Sequence, residues 1–185
     1  MSGLTARVQL VSNALILLGD RPIASLTEET VGATLGANLF ENTYLTMLQS
    51  HRWRFAVKTV SLSKLSATPD TGYTTAFQLP SDFLYTIKTD ANNFEVYGTQ
   101  LHCNYSSLQL DYIYRVDEDK LPAYFAKALE YNLSAQFAVP ITGDLNKADY
   151  FAKVFVNELK KAKHTDATQY PEVAVQSRPY VDIRY

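Results

Sequence analysis

The spacing of apolar residues predicts four helices, two on either side of a block of short strands. Over residues 4–18 the apolar positions recur every three or four residues, which is the period of a helix with one apolar face. Gly19 follows at the place where a residue in the left-handed conformation commonly ends a helix, and Pro22 comes soon after. We therefore expect a first helix over 4–18 that ends at Gly19.

A second helix is predicted to begin near Ser25. The segment from Ser25 to Glu28 has the form of a capping box, in which Ser is the N-cap and Glu lies three residues later. This helix carries Gly32 and Gly36, each of which weakens a helix by about 1 kcal/mol relative to Ala. Two glycines four residues apart indicate a close approach of the backbone to another helix.

From residue 53 the pattern changes to the alternation that is typical of half-buried strands. Trp53, Phe55 and Val57 alternate with basic residues. Val60 and Leu62 continue the alternation, but their apolar side chains fall on the opposite face of the strand. This change of face predicts a bulge or a bend. A hairpin turn is expected at 98–99. The further strands are predicted over residues 76–79, 84–88, 94–97, 101–105 and 108–114.

The helical period returns after residues 117–119. Pro122 suits a first helical turn, the apolar residues from Phe125 to Phe137 lie four apart, and Pro140 is expected to end this helix. Thr142 is the expected cap of the last helix. Its apolar residues have the a/d spacing of a packed helix: Leu145, Ala148, Ala152, Phe155, Leu159 and Ala162.

Because helical and strand periods are grouped and do not alternate, the predicted fold class is α+β. We expect an N-terminal helical pair over 1–52 and an inserted antiparallel β domain over 53–116. A second helical pair over 117–163 would complete a four-helix bundle, and residues 164–185, which lack periodicity, would form an extended C-terminal arm.

The composition narrows the possible functions. The net charge of −2 gives no reason to expect a broad DNA-binding face, which needs an excess of basic residues. A neutral or acidic wall would instead let DNA slide past, because phosphates do not bind to it. A single cysteine rules out an intrachain disulfide. No apolar run approaches the roughly 20 residues that a membrane-spanning helix needs.

The candidates for chemistry are weak. The sequence has no Gly-rich phosphate loop and no Gly-x-Ser-x-Gly motif. Cys103 lies beside His102, but neighbouring side chains on a strand face opposite ways, so we interpret Cys103 as an ordinary strand residue. The carboxylates of residues 117–119 could bind a hard cation, yet they lack the other features of a calcium loop, and a solvated loop before a helix is favoured. We predict no catalytic residue, no cofactor and no metal.

Two other functions stay open on the residues alone. Arg52 and Arg54 flank Trp53, as in a basic and aromatic nucleic-acid patch, although a strand with a polar outer face explains them equally well. A nucleic-acid-binding module is therefore one alternative. A small enzyme of unknown chemistry is the other, although the chain offers no good constellation of ionisable groups.

The tyrosine content favours a protein that assembles with others. The chain has 13 Tyr and one Trp, and aromatic residues are enriched at interfaces. Tyr180 and Tyr185 lie in the C-terminal arm and could fill pockets on a partner, while Arg178 and Arg184 could bind partner carboxylates. These four residues are the predicted partner-binding site.

Five segments in one order carry a resemblance that spans nearly the whole chain. They read LxxLGxxPIxSL at 15–26, W-x-F at 53–55, LPxDFL at 79–84, LxYIxRV at 110–116 and FxxAL at 125–129. In these segments the chain resembles the tail tubular protein A family of short-tailed phages, the head-to-tail adaptors that are also related to tail accessory factors. Some relatives end near a Trp-x-x-x-Arg pattern, and here Tyr180 and Arg184 occupy similar places.

The resemblance implies a structural protein of the virion tail, assembled in the host cytoplasm, with no catalysis and no cofactor. It implies a helical bundle that carries a small β domain, and a homo-oligomeric, dodecameric ring. The portal protein would lie above this ring and the tail nozzle protein below it. Double-stranded DNA would pass through the channel without sequence-specific binding, and no membrane would be involved.

Overall fold

The structure is a computed structural model that describes residues 3–169. Within this range the chain forms two helices, a block of strands and two further helices. The helices are α1 (Gly3–Leu18), α2 (Val31–Gln49), α3 (Ala123–Thr142) and α4 (Leu145–Thr168). The strands are β1 (Val57–Ser61), β2 (Ser63–Lys64), β3 (Thr75–Gln78), β4 (Phe83–Thr89), β5 (Phe94–Tyr97), β6 (Gln100–Cys103) and β7 (Gln109–Tyr114).

The strands form two antiparallel sheets. An inner sheet has the order β1-β7-β4, and an outer sheet has the order β2-β3-β6-β5. The predicted α+β class is therefore confirmed. The predicted bend also exists: β1 ends at Ser61 in the inner sheet, β2 begins at Ser63 in the outer one, and Leu62 N–H between them donates to the Leu108 carbonyl. The hairpin at 98–99 joins β5 to β6, with Gly98 at a φ of +58°.

The first two helices pack closely because glycines remove the side chains between them. A Cβ atom on Gly32 would lie 2.7 Å from Leu15 Cδ1, and one on Gly36 would lie 2.6 Å from Val11 Cγ1. The predicted close approach is confirmed. α1 ends at Leu18, and Gly19 follows with a φ of +84°, as the sequence predicts.

The predicted start of α2 is wrong. α2 begins at Val31, and the Thr30 hydroxyl caps it by accepting a hydrogen bond from Ala33 N–H. The segment from Ser25 to Glu28 forms a turn, in which the Glu28 carboxylate accepts hydrogen bonds from Ala24 N–H and Ser25 N–H. The capping hydrogen bonds are present there, but they close a turn, and the helix begins only at Val31.

The segment 53–56 is also not a strand. Arg54–Ala56 is a turn of 3-10 helix, and β1 starts only at Val57. Trp53 is fully buried, and its indole Nε1–H donates to the Met47 carbonyl at 2.8 Å. The alternation of apolar residues here reflects a buried tryptophan that holds the chain against the end of α2.

The boundary between α3 and α4 differs from the expectation in two ways. Pro140 lies inside α3, which continues to Thr142 and ends at Gly143, a residue with a φ of +68°. The cap of α4 is Asp144 and not Thr142, since its carboxylate accepts from Asn146 and Lys147 N–H. α4 continues to Thr168, so residues 164–168, which the sequence analysis assigned to the arm, are helical.

One large core joins the helices to the inner sheet. α3 contacts each of the other three helices. Within this core, the Phe125 ring meets those of Tyr44 and Trp53 edge to face. A smaller core lies between the two sheets. Its buried members are Phe77, Leu79, Ala91, Leu101, Cys103, Leu108, Leu110 and Tyr112.

The core uses four of the six residues in the predicted apolar stripe of α4, including Ala148, and adds Phe151, which lies outside that stripe. Phe151 and Ala162 are buried, and Phe155 and Leu159 are partly buried against the core. Leu145 and Ala152, which the a/d spacing places on the same stripe, are exposed. The helix therefore packs through a face that is rotated from the predicted one.

The close contact between α1 and α2 gives a testable prediction. Gly36→Ala should destabilise the protein, because the new methyl group meets Val11 at a cost of about 1–3 kcal/mol. Ala also adds roughly 1 kcal/mol of helix propensity, so the expected net loss is up to about 2 kcal/mol. Chemical denaturation measures it. In the double variant Val11→Ala/Gly36→Ala the two costs should be less than additive, and a Gly36→Ala protein that is more stable than the original would contradict the packing.

Candidate functional site

Four charged side chains form an ionic junction where the helices meet the inner sheet. Arg7 Nη2 lies 2.6 Å from Glu118 Oε1 and 2.8 Å from Glu41 Oε2. Arg115 binds both oxygens of Glu41, with Nε–Oε1 at 2.8 Å and Nη2–Oε2 at 3.0 Å, and its Nη2 also lies 2.7 Å from Glu118 Oε1. Each arginine therefore contacts both carboxylates, and the four charges balance.

The junction draws its members from four parts of the chain. Arg7 lies in α1, Glu41 in α2, Arg115 directly after β7, and Glu118 in the 3-10 turn Glu118–Lys120. Aromatic rings lie next to it: the Arg7 guanidinium is 4.9 Å from the Phe40 ring centroid, and that of Arg115 is 5.3 Å from the Tyr44 ring. The junction thus links both N-terminal helices to the end of the sheet.

Glu118 corrects the expectation of a solvated loop at 117–119. Its side chain is only 6% exposed, and it accepts hydrogen bonds from two arginines. Asp117 matches the expectation, since it is exposed and pairs with Lys120 at 2.6 Å. A buried carboxylate at this place is structural, and its charge is neutralised within the protein.

The junction shifts the ionisation of its members. The pKa of Glu41 lies below its usual value, mainly because Arg115 donates hydrogen bonds to it; partial burial opposes this, and the charges of Arg115 and Arg7 add to it. The pKa of Arg115 is raised, first by its hydrogen bonds to Glu41. Burial raises the pKa of Tyr44, whose hydroxyl donates to the Val116 carbonyl at 2.7 Å.

A second buried carboxylate, Asp166, fastens the end of α4. It accepts hydrogen bonds from Arg54 N–H at 3.1 and 3.2 Å and from the Tyr124 hydroxyl at 2.8 Å. Burial raises the pKa of Tyr124, and the hydrogen bond to Asp166 raises it further. Asp166 lies beyond the last residue that the sequence analysis placed in a helix, so its role was missed.

Cys103 and His102 do not form a reactive pair. Cys103 is buried in the small core between the sheets. The His102 ring is hydrogen-bonded through Nδ1 to Thr71 at 2.8 Å and through Nε2 to Gln100 at 3.1 Å. Since His102 and Gln100 share one face of β6, Cys103 lies on the other, as the strand period predicts.

The tryptophan of the candidate nucleic-acid patch is not available to a base. Trp53 is fully buried, whereas Arg52 and Arg54 are exposed beside it. Stacking on a base needs an accessible ring face, so the proposed combination of aromatic and basic contacts is wrong for Trp53. Arg54 lies against α4, because its backbone N–H donates to the Asp166 carboxylate at 3.1 Å.

A surface groove runs between α1 and α3. Its apolar end is an open depression of about 540 Å³ lined by Ile16, Leu17 and Tyr131, and its acidic end is one of about 360 Å³ lined by Asp119 and Glu130. Ile16 is 53% exposed and Leu17 39%. Burial raises the pKa of Glu130, although a hydrogen bond from Asn13 at 2.7 Å opposes this. We call this surface the α1–α3 groove.

A second exposed surface follows the outer side of α4. Leu145 is 74% exposed and Val156 47%, and Ala152 lies exposed between them. Lys153 and Lys160 flank these apolar residues and are also exposed. We call these five residues the α4 ridge.

The predicted partner-binding residues, Arg178, Tyr180, Arg184 and Tyr185, lie outside the described residues. Within residues 3–169, no group of three or more His, Cys, Asp or Glu side chains is placed to hold a metal ion. None of the helices in this range combines the length and the apolar character needed to cross a membrane.

No protein-family model matches the chain, and no curated protein matches it significantly.

The buried charge of Glu118 leads to a prediction about stability. Glu118→Ala should destabilise the protein by about 2–3 kcal/mol, because it leaves Arg7 and Arg115 sharing one carboxylate in a partly buried site. Urea denaturation measures the change. The matched control is Lys120→Ala, which breaks only the exposed pair with Asp117 and should leave the midpoint unchanged. Equal effects of the two substitutions would contradict a structural role for the junction.

The lowered pKa of Glu41 gives a prediction about pH. A carboxyl with a depressed pKa in the folded state stabilises the protein above its ordinary value of about 4.5 and loses that contribution as the pH falls through the folded-state pKa. The melting temperature of the native chain should therefore exceed that of Glu41→Gln most near neutral pH. The difference should shrink as the pH falls below about 4.5. A difference that stays constant with pH would show that Glu41 does not titrate against the arginines.

Proposed function

We propose that this chain is a structural subunit of a phage tail, one copy in the ring that joins the portal to the rest of the tail. One observation supports this most directly. The five segments that resemble the tail tubular protein A family coincide with the contacts that hold the helices and sheets together.

The segments near the helices supply the main-core contacts. Within 15–26, Leu15 and Leu18 are buried, and Ile23 N–H donates to the Ser12 hydroxyl at 3.2 Å. Trp53 of the second segment and Phe125 of the last meet edge to face, with ring centroids 5.0 Å apart. These residues join the two helical pairs.

The segments in the β block connect it to the helices. Asp82 accepts hydrogen bonds from Lys58 at 2.6 Å and from Tyr112 at 3.0 Å, so it fastens β4 to β1 and β7. The Asp82 carbonyl also accepts from Arg115 N–H at 2.9 Å, and the Arg115 side chain enters the ionic junction. The residues that carry the resemblance therefore hold the sheets and helices together, as expected of a structural subunit.

In this proposal the four helices form one bundle, and the β domain is inserted between its two halves. The subunits form a dodecameric ring, with the portal on one side and the tail nozzle on the other. Double-stranded DNA passes through without sequence-specific binding, which agrees with the net charge of −2. The protein acts without catalysis or a cofactor, in the virion tail.

The C-terminal arm completes the proposal. Arg178 and Arg184 would pair with carboxylates of a neighbouring subunit or the portal, and Tyr180 and Tyr185 would fill pockets there.

Size-exclusion chromatography with light scattering tests the proposal on the full chain, alone and mixed with portal protein. We expect a ring-sized species in at least one sample. A variant that lacks residues 176–185 should keep nearly the same melting temperature but fail to join the portal. The proposed function is wrong if the full chain stays monomeric in both samples. If the truncated chain joins portals as well as the full chain does, the arm is not the binding element.

A further inference from the structure

The α1–α3 groove and the α4 ridge carry opposite charge. The groove presents the exposed Asp119 and the partly buried Glu130. Its lysine, Lys127, lies 3.4 Å from Glu158 of α4, which also pairs with Lys161 at 2.6 Å. The ridge presents Lys160, which has no described partner, and Lys153, which pairs with Asp149 at 2.5 Å. The groove therefore carries two carboxylates against one lysine, and the ridge carries one lysine without a described counter-charge.

Both surfaces also expose large apolar side chains, which are more often buried in a folded chain. Ile16 and Leu17 line the groove, and Leu145 and Val156 lie on the ridge, each between 39% and 74% exposed. Adjacent apolar and charged residues of this kind are typical of a protein interface. The groove is concave and the ridge lies along one side of a helix, so the ridge can approach the groove.

The two surfaces face different directions. Glu158 turns toward the groove, since it reaches Lys127 at the groove's margin. Val156 and Lys160 each lie two residues from Glu158, which is about 200° around the helix axis. The ridge therefore points away from the groove of its own chain, and it can contact only the groove of another copy.

We propose that the α4 ridge of one subunit binds in the α1–α3 groove of the next. This contact uses two different patches of the same chain, so it is heterologous and can close into a ring. It deepens the proposed function, because it names the faces through which ring neighbours would meet. The occupant is a second copy, since the ridge of the same chain presents apolar side chains and a lysine opposite in charge to the carboxylates of the groove.

The test uses one variant for each surface, both at exposed positions. Ile16→Asp disables the groove and Val156→Asp disables the ridge. Each variant alone should lose self-association by at least about tenfold, because every contact needs one intact groove and one intact ridge. When the two are mixed, the ridge of one can still bind the groove of the other. The mixture should form a heterodimer that grows no further, as measured by analytical ultracentrifugation at low salt.

Two further measurements separate folding from assembly. The melting temperature and circular dichroism of each variant should match the native chain, since both positions are solvent-exposed. Lys160→Glu and Asp119→Lys provide a second pair, which changes charge without changing the apolar residues. Each should weaken association, and raising the salt concentration should weaken the native contact as well.

Failure of this proposal can be told apart from failure of the proposed function. If the native chain forms rings with the portal and both single variants join them normally, the contact is wrong and the proposed function stands. If the native chain forms no ring but the mixed variants form a heterodimer, the contact stands and the proposed function is wrong. If the mixture stays monomeric while the native chain associates, the contact is overturned.

Discussion

The ionic junction is the constraint on which the arrangement of helices and sheets depends. Two arginines and two glutamates from four parts of the chain satisfy one another, and Glu118 among them is nearly inaccessible to water. Removing either glutamate leaves both arginines sharing one carboxylate, so the partly buried site carries an excess positive charge. α3 begins at Ala123, only five residues after Glu118. The junction therefore sets the position of the helix that contacts all the others.

The close packing of α1 on α2 is what brings the junction together. Arg7 and Val11 lie four residues apart on one face of α1, and Gly36 and Phe40 lie four apart on one face of α2. Val11 approaches the bare backbone at Gly36, and one turn away the Arg7 guanidinium lies over the Phe40 ring. A larger residue than glycine would separate these faces, and the arginine would then reach Glu41 less well.

Local signals in the sequence predict most of the elements, and contacts between distant segments account for the errors. The periods of α1 and β5, the hairpin at Gly98 and the end of α1 at Gly19 are local properties, and each is confirmed. Glu118 and Asp166 were missed because their partners lie up to 112 residues away. Ser25 and Thr30 are both good caps, but the Thr30 hydroxyl accepts from Ala33 N–H whereas Ser25 lies in a turn closed by Glu28.

The error on α4 has a different meaning, because the helix carries more apolar surface than the core covers. The core takes Phe151 and Ala162, while Leu145 and Val156 stay on the outer side. A helix of 24 residues that needed only this core would gain nothing from apolar side chains facing water. Polar residues there would also make the monomer more soluble. The surplus is explained if the helix packs twice, once in its own chain through Asp166 and its buried face, and once against a neighbour.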